Sequence, residues 1–203
     1  MSKRKILQEN QSYTFRSYFD MRYEIDEILA EFGYNFHKSR LSLPVFSTQI
    51  NQIDELQQRL EDTLILTNLS SEIARREALI FPILLEIARV YRCKIIIEYG
   101  LDVKNWLKGN LDYLLQTETG LIVVEAKNDD LTRGFTQLAV EMIALAQWEE
   151  RAIVYGAVTI GEAWRFGKLD AQDKTITQDL TLYNVPDDLL KLTKILLGIL
   201  ISS

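Results

Sequence analysis

Two apolar segments joined by a tight turn constrain this chain more than any other feature. The first reads LDYLLQT, residues 111 to 117, and the second reads LIVVEAK, residues 121 to 127, with ETG between them. Side chains alternate along a strand, so Glu125 and Lys127 share one face. A two-residue loop at Glu118-Thr119 pairs Thr117 with Gly120 and places Asp112 directly opposite Glu125. A four-residue loop gives the same register, whereas a three-residue loop does not. In the favoured register two carboxylates and one amine converge on one patch of sheet. Like charges directly opposite each other destabilise a sheet, so a compensating cation is expected. Mg²⁺ suits the position, because it takes one or two carboxylates and completes its shell with water and phosphate oxygens. A lysine beside such an ion can hold or help deprotonate a water, an arrangement suited to phosphodiester hydrolysis.

The rest of the chain predicts an α/β order around this hairpin. Residues 13 to 32 are predicted to form an amphipathic helix, with Phe15, Phe19, Ile25, Leu29 and Phe32 near helical spacing and Gly33 after them. LSLPVF is a short extended piece limited by Pro44, and residues 48 to 67 predict a second helix with the stripe Ile50, Ile53, Leu56, Leu60 and Leu64. Ser70 and Ser71 can cap a third helix, in which Pro82 predicts a kink or break near Phe81. KIIIEY reads as a strand, GLDVKNWLKGN as a loop, and NDDLTRGFTQLAVEMIALAQWEE as a capped helix. AIVYGAVTI is a further strand, AWRFGKL and TITQDLTLY an antiparallel pair joined by DAQDK, and DDLLKLTKILLGIL a closing helix.

An acidic residue on a helix, then Asp112, then Glu125-Ala126-Lys127, then Gln137 on the next helix resembles the PD-(D/E)XK nuclease superfamily. The local text looks most like the N-terminal nuclease domain of type I restriction subunits. The resemblance covers roughly residues 71 to 160; Glu72, Arg76, Ile80, Pro82 and Leu84 match that family's first-helix spacing. Leu111 stands where the motif's name has proline. The resemblance implies a restriction-endonuclease-like mixed sheet flanked by helices, an αβββαβ core. To this the chain adds a helical N-terminal extension over residues 1–70 and a C-terminal ββα unit within the nuclease domain 71–203. It also implies that Asp112, Glu125 and the Ala126 carbonyl hold Mg²⁺, with Mn²⁺ as a substitute, while Lys127 positions or activates the attacking water. DNA is the implied substrate. Cutting as a homodimer is compatible with it, and any motor or specificity subunit would be a separate chain.

Bland explanations exist for each residue. An acidic residue in a first helical turn, as Glu72 is, needs no catalytic role because the helix dipole stabilises it. Glu77 is on a different helix face from Glu72. Gln137 shares a stripe with Arg133 and Glu141, which as ordinary solvated surface would carry no function. Buried ion pairing of Glu125 is the structural alternative to ligation. A catalytically weak nucleic-acid- or protein-binding module on the same fold is the alternative to a nuclease. An assembly role for the terminal amphipathic helices is a third possibility.

Composition narrows the field. The chain has one cysteine, Cys93, and one histidine, His37 in a loop-like stretch, which disfavours zinc and Ser-His or Cys-His catalysis. No phosphate-binding glycine loop occurs. The start MSKRK lacks the apolar run of a signal peptide, and the last apolar stretch is too short to span a bilayer and carries Lys191 and Lys194. A cytoplasmic protein with no membrane partner is expected. A net charge of −6 disfavours a non-specific nucleic-acid coat protein. It leaves room for a local basic strip, for which Lys104, Lys108, Lys127 and Arg133 are candidates. Trp106, in the loop before Asp112, is a possible stacking residue.

Overall fold

A computed structural model describes residues 5–202, so most of the basic start of the chain lies outside the described residues. Eight strands form one open mixed sheet, flanked by helices on both faces. The elements run α1 (Phe15–Asp20), α2 (Ile25–Glu31), β1 (Asn35–Ser39), α3 (Ile53–Leu66) and α4 (Glu72–Arg75). A π-helical turn (Arg76–Ile80) leads into α5 (Phe81–Tyr91), β2 (Lys94–Lys104), β3 (Leu107–Gln116), β4 (Leu121–Ala126) and α6 (Leu131–Trp148). The chain continues through β5 (Ile153–Thr159), β6 (Ala163–Asp170), β7 (Thr175–Asp179), β8 (Tyr183–Asn184) and α7 (Leu189–Ile201). The order across the sheet is β1-β7-β6-β5-β4-β3-β2, with β8 also on β6. The β1–β7 and β4–β5 pairs are parallel and the others antiparallel.

One apolar layer joins α3, α5 and α7 to Tyr113, Leu115, Ile122 and Val124. The other joins α1, α2 and α6 to Leu111, Leu114, Leu121 and Val123. Helix α6 is apolar nearly all round, and every residue from Gly134 to Ala146 is buried. Such a helix is a core element rather than an amphipathic cover. Its N-terminus is fixed by the Asp130 carboxylate, which accepts from the amides of Thr132 (3.0 Å) and Arg133 (2.9 Å). Ser71 caps α4 in the same way, accepting from Ala74 at 3.1 Å.

Several elements differ from the sequence expectation, each for a local reason. The predicted helix over 13–32 is two short helices, because Met21 turns extended and a new N-terminus opens at Glu24, whose amide donates to the Glu27 carboxylate at 3.2 Å. The second helix starts at Ile53 rather than 48, behind left-handed Gln52. LSLPVF forms no strand; it lies along α7, with the Phe46 amide donating to the Lys194 carbonyl at 2.9 Å. The supposed loop GLDVKNWLKGN continues β2 and β3, which pair as far as Lys104 and Leu107. His37 is in strand β1, opposite Thr177, so the segment before residue 70 contributes an edge strand as well as helices. The expected disturbance near Pro82 is the π-helical turn: the Phe81 amide reaches back to the Arg76 carbonyl. Proline has no amide to donate and crowds the carbonyl four residues earlier, which the wider turn accommodates. No described helix is long and apolar enough to cross a membrane.

Candidate active site

The β3–β4 hairpin sets the site. Thr117 donates its amide to the Gly120 carbonyl at 2.9 Å, and the ladder runs Gln116 with Leu121 through Tyr113 with Val124. One step further along this register sets Asp112 against Glu125, as the two-residue loop predicts. The strands no longer pair backbone to backbone there. Instead the Ala126 amide donates to Asp112 Oδ2 at 2.8 Å. Ala126 thus meets Asp112 through its main chain, while its methyl packs in the α3–α5–α7 layer.

Glu125 and Lys127 point to the α6 side of the sheet and form a close ion pair; they are 1% and 3% exposed. The paired arrangement expected as the structural alternative is therefore present, alongside the convergence with Asp112. Gln137 Nε2 donates to Glu125 Oε1 at 2.6 Å and to Glu141 Oε1 at 2.8 Å. Glu72, partly exposed at the start of α4, lines the same cleft of about 340 Å³ as Asp112, Glu125, Lys127 and Gln137. All five candidate side chains are brought together. Glu77 is exposed and lines a separate groove. The basic strip takes a different form from the expected one: Lys127 is buried, Lys104 borders another cleft beside Trp106, and Arg133 is exposed outside the site. Trp106 packs edge-on against Phe32 and donates to the Gln8 carbonyl at 3.1 Å.

Three groups were not foreseen as parts of the site. Glu141 is fully buried rather than solvated. Arg76 bridges Glu98 (2.7 Å) and Asp112 (3.3 Å) with its guanidinium 5.1 Å from the Tyr113 ring centre. Glu98 holds a left-handed backbone, φ 54°, within β2, a strained conformation for a residue with a side chain. Helix α1 covers the cleft from above. Phe15 and Arg16 line it, and the Phe19 ring centre sits 5.1 Å from Lys127 Nζ. Signals for Glu141 and Arg76 were in the sequence. Glu141 sits within the apolar run LAVEMIALA, and Arg76 is one turn after Glu72.

The electrostatics follow from burial. Burial, then the neighbouring Glu141 and Asp112 charges, push the Glu125 carboxyl well above its ordinary value. Glu141 is pushed up to about 7 by burial, with the Gln137 amide pulling the other way. Burial also raises Asp112, against the Ala126 amide and the Arg76 charge. At Lys127 burial opposes the charge, but Glu125 beside it outweighs that and the ammonium is held above its usual range.

Between about pH 4.5 and about pH 7 the folded chain thus holds a proton on Glu141 that the unfolded chain has released. Folding stability should fall as pH rises from about 4.5 to about 7 on this account. Glu141→Gln should raise the melting temperature of chelator-treated protein above neutral pH and flatten its decline. Melts across that range check this; a parallel downward shift at every pH would contradict it.

Gly134 sets the approach of α6 to Lys127. A Cβ there would lie 2.8 Å from Lys127 Cγ and 2.8 Å from Val158 Cγ2. Alanine normally favours a helix interior by about 1 kcal/mol over glycine. Overpacking typically costs about 1–3 kcal/mol and should win here. Gly134→Ala is expected to lower stability in urea melts, and a gain would contradict the close packing.

Three buried oxygens, Glu125 Oε2, Gln137 Oε1 and Glu141 Oε2, have no hydrogen-bond partner among the described residues. Unsatisfied buried acceptors are costly and call for a ligand or solvent. Hard oxygen donors of this kind suit a divalent cation such as Mg²⁺. No group of three or more His, Cys, Asp or Glu side chains among the described residues is arranged to hold a metal. Any ion here would rest on two carboxylates, main chain and water, the manner in which Mg²⁺ is commonly held. The sequence matches no known family profile and no curated protein.

Proposed function

We propose that the chain is a metal-dependent nuclease that hydrolyses DNA phosphodiester bonds. The observation that carries this reading is the meeting of Asp112, Glu125, Lys127, Glu72 and Gln137 in one cleft, from β3, β4, the β4–α6 turn, α4 and α6. The order of elements from α4 to β5, helix, three strands, helix, strand, supports a restriction-endonuclease-like core. The parallel pairing of β4 with β5 around α6 is consistent with it.

Asp112, Glu125 and the Ala126 carbonyl would hold Mg²⁺, or Mn²⁺ in its place, and the bound ion would supply Lewis-acid stabilisation of charge on the phosphoryl oxygens. Lys127, kept protonated by Glu125, can donate a hydrogen bond but cannot accept a proton. Its role is to orient the attacking water and to offset charge at the phosphate, not to act as a base. The water oxygen forms the new bond to phosphorus and one phosphorus–ester oxygen bond breaks; the proton the water gives up passes to solvent, and the departing ester oxygen takes a proton from solvent. Gln137 fixes the Glu125 carboxylate from the α6 side. Glu72 adds negative charge near Lys127 and offers a partly exposed acceptor for water. Arg76 draws on Asp112 from the opposite side, so that Asp112 is held in place from both directions.

Cleavage of supercoiled plasmid and of single-stranded DNA, with Mg²⁺, Mn²⁺ or Ca²⁺, tests this reading. Turnover is expected with Mg²⁺ and Mn²⁺ and little with Ca²⁺. No cleavage under any of these conditions would reject it in favour of a binding module on the same fold.

A further inference from the structure

A second cleft, of about 550 Å³, opens on the other side of α1 from the catalytic one. Three cations from three separate parts of the chain converge on it: Arg22 after α1, Lys38 on β1 and Arg133 on α6. All three are exposed. Among the described residues, neither Arg22 nor Lys38 has a carboxylate within 4.0 Å. Arg133 is 3.5 Å from Asp130, whose carboxylate is already engaged by two α6 amides. Glu24 and Asp130 are the acidic residues of the cleft, which leaves it net positive in a chain of net charge −6. Acidic residues outnumber basic ones 29 to 23 overall, so a cleft lined by three cations and two carboxylates runs against the balance of the chain. Folding gives no reason for it, since like charges brought together repel.

The two clefts adjoin through consecutive residues. Thr136 lines the basic cleft and Gln137 the catalytic one; on α1, Tyr18 lines the first and Phe15 and Arg16 the second. Tyr23, 51% exposed, stands at the wall of the basic cleft and offers a ring face beside the cations. Positive charge interleaved with an accessible aromatic is the chemistry that follows a nucleic-acid strand.

We infer that this cleft, through Arg22, Lys38 and Arg133, grips the sugar–phosphate backbone of a DNA strand on its way into the catalytic cleft. The inference rests on the nuclease reading for its choice of DNA, but it concerns grip and not hydrolysis. Phosphate contacts of this kind are sequence-independent, and each one lost flattens the dependence of affinity on salt.

Fluorescence anisotropy of a short labelled DNA strand, with Ca²⁺ in place of Mg²⁺, separates the two. The triple variant Arg22→Gln, Lys38→Gln, Arg133→Gln should bind at least about tenfold more weakly at low salt, and its log–log salt slope should be shallower by about 2. A control with the same charge removed at exposed residues that line neither cleft, Arg59→Gln, Arg92→Gln, Lys94→Gln, should stay within about threefold of wild type, the scale of a long-range charge effect. Equal losses in both triples, no loss in the first, or no DNA binding by wild type would each overturn the inference. Loss confined to the first triple, in a protein that binds DNA but does not cut it, would uphold the grip while rejecting the nuclease.

Discussion

Lys127→Met is expected to lower DNA cleavage by at least about a hundredfold, the scale typical of losing a donor that stabilises charge in the transition state. The substitution keeps the buried stem that packs under Gly134 and removes only the ammonium. Its cost to stability should depend on pH. Breaking a buried ion pair typically costs about 3–5 kcal/mol, because the remaining charge is stranded. Glu125, already inclined to hold a proton through burial and through Glu141, escapes part of that cost by protonating. The variant should therefore melt near wild type at mildly acid pH and progressively lower as pH rises. Cleavage per folded molecule, measured together with melting temperature, checks both halves. Full activity in the folded fraction would make Lys127 a purely structural partner of Glu125.

Asp112→Asn is expected to reduce Mg²⁺ affinity and to lower cleavage by two or more orders of magnitude, with little effect on folding. Asparagine keeps an oxygen that can accept from the Ala126 amide, so the junction of β3 and β4 is preserved. It loses the charge that draws Arg76 and would hold a cation. Arg76 retains its contact with Glu98 at 2.7 Å, which limits the loss of stability. Calorimetry with Mg²⁺, Mn²⁺ and Ca²⁺ on both proteins provides the measurement. Identical metal binding by wild type and variant would remove Asp112 from the site.

The centre of the site could be read from the chain because strand geometry is local. Alternation fixes Glu125 and Lys127 on one face, and the Glu118-Thr119 turn fixes their register with Asp112; both hold in the structure. The face that α6 presents was harder to read. Gln137 and Glu141 look like half of a polar stripe until α6 is seen enclosed between the sheet, α1 and α2, where Glu141 is fully buried. That enclosure depends on where the N-terminal segment travels. It crosses the tip of the β2–β3 hairpin, with the Tyr13 amide on the Asn105 carbonyl at 2.8 Å and a bridge from Thr14 to Lys108. Gly109 permits this crossing: its φ is +138°, and a Cβ there would lie 2.9 Å from the Phe15 ring. The same long-range contacts explain why residues 100–110 read as a loop. Their alternation is interrupted by Gly100 and Gly109, although the two strands pair with each other as far as Lys104 and Leu107. Strand β1 was missed because its side chains are mostly exposed and its partner, β7, lies far along the chain.

Metal-dependent cleavage at this site requires that Asp112 and Glu125 share a divalent ion beside Lys127. Diffraction from crystals grown with Mn²⁺, recorded for its anomalous signal, tests that claim directly. The predicted result is a peak within coordination distance of one oxygen from each carboxylate, with Lys127 Nζ turned from Glu125 toward the ion's water shell. A crystal soaked in excess Mn²⁺ with no peak there, and with Lys127 still paired to Glu125, would contradict the account.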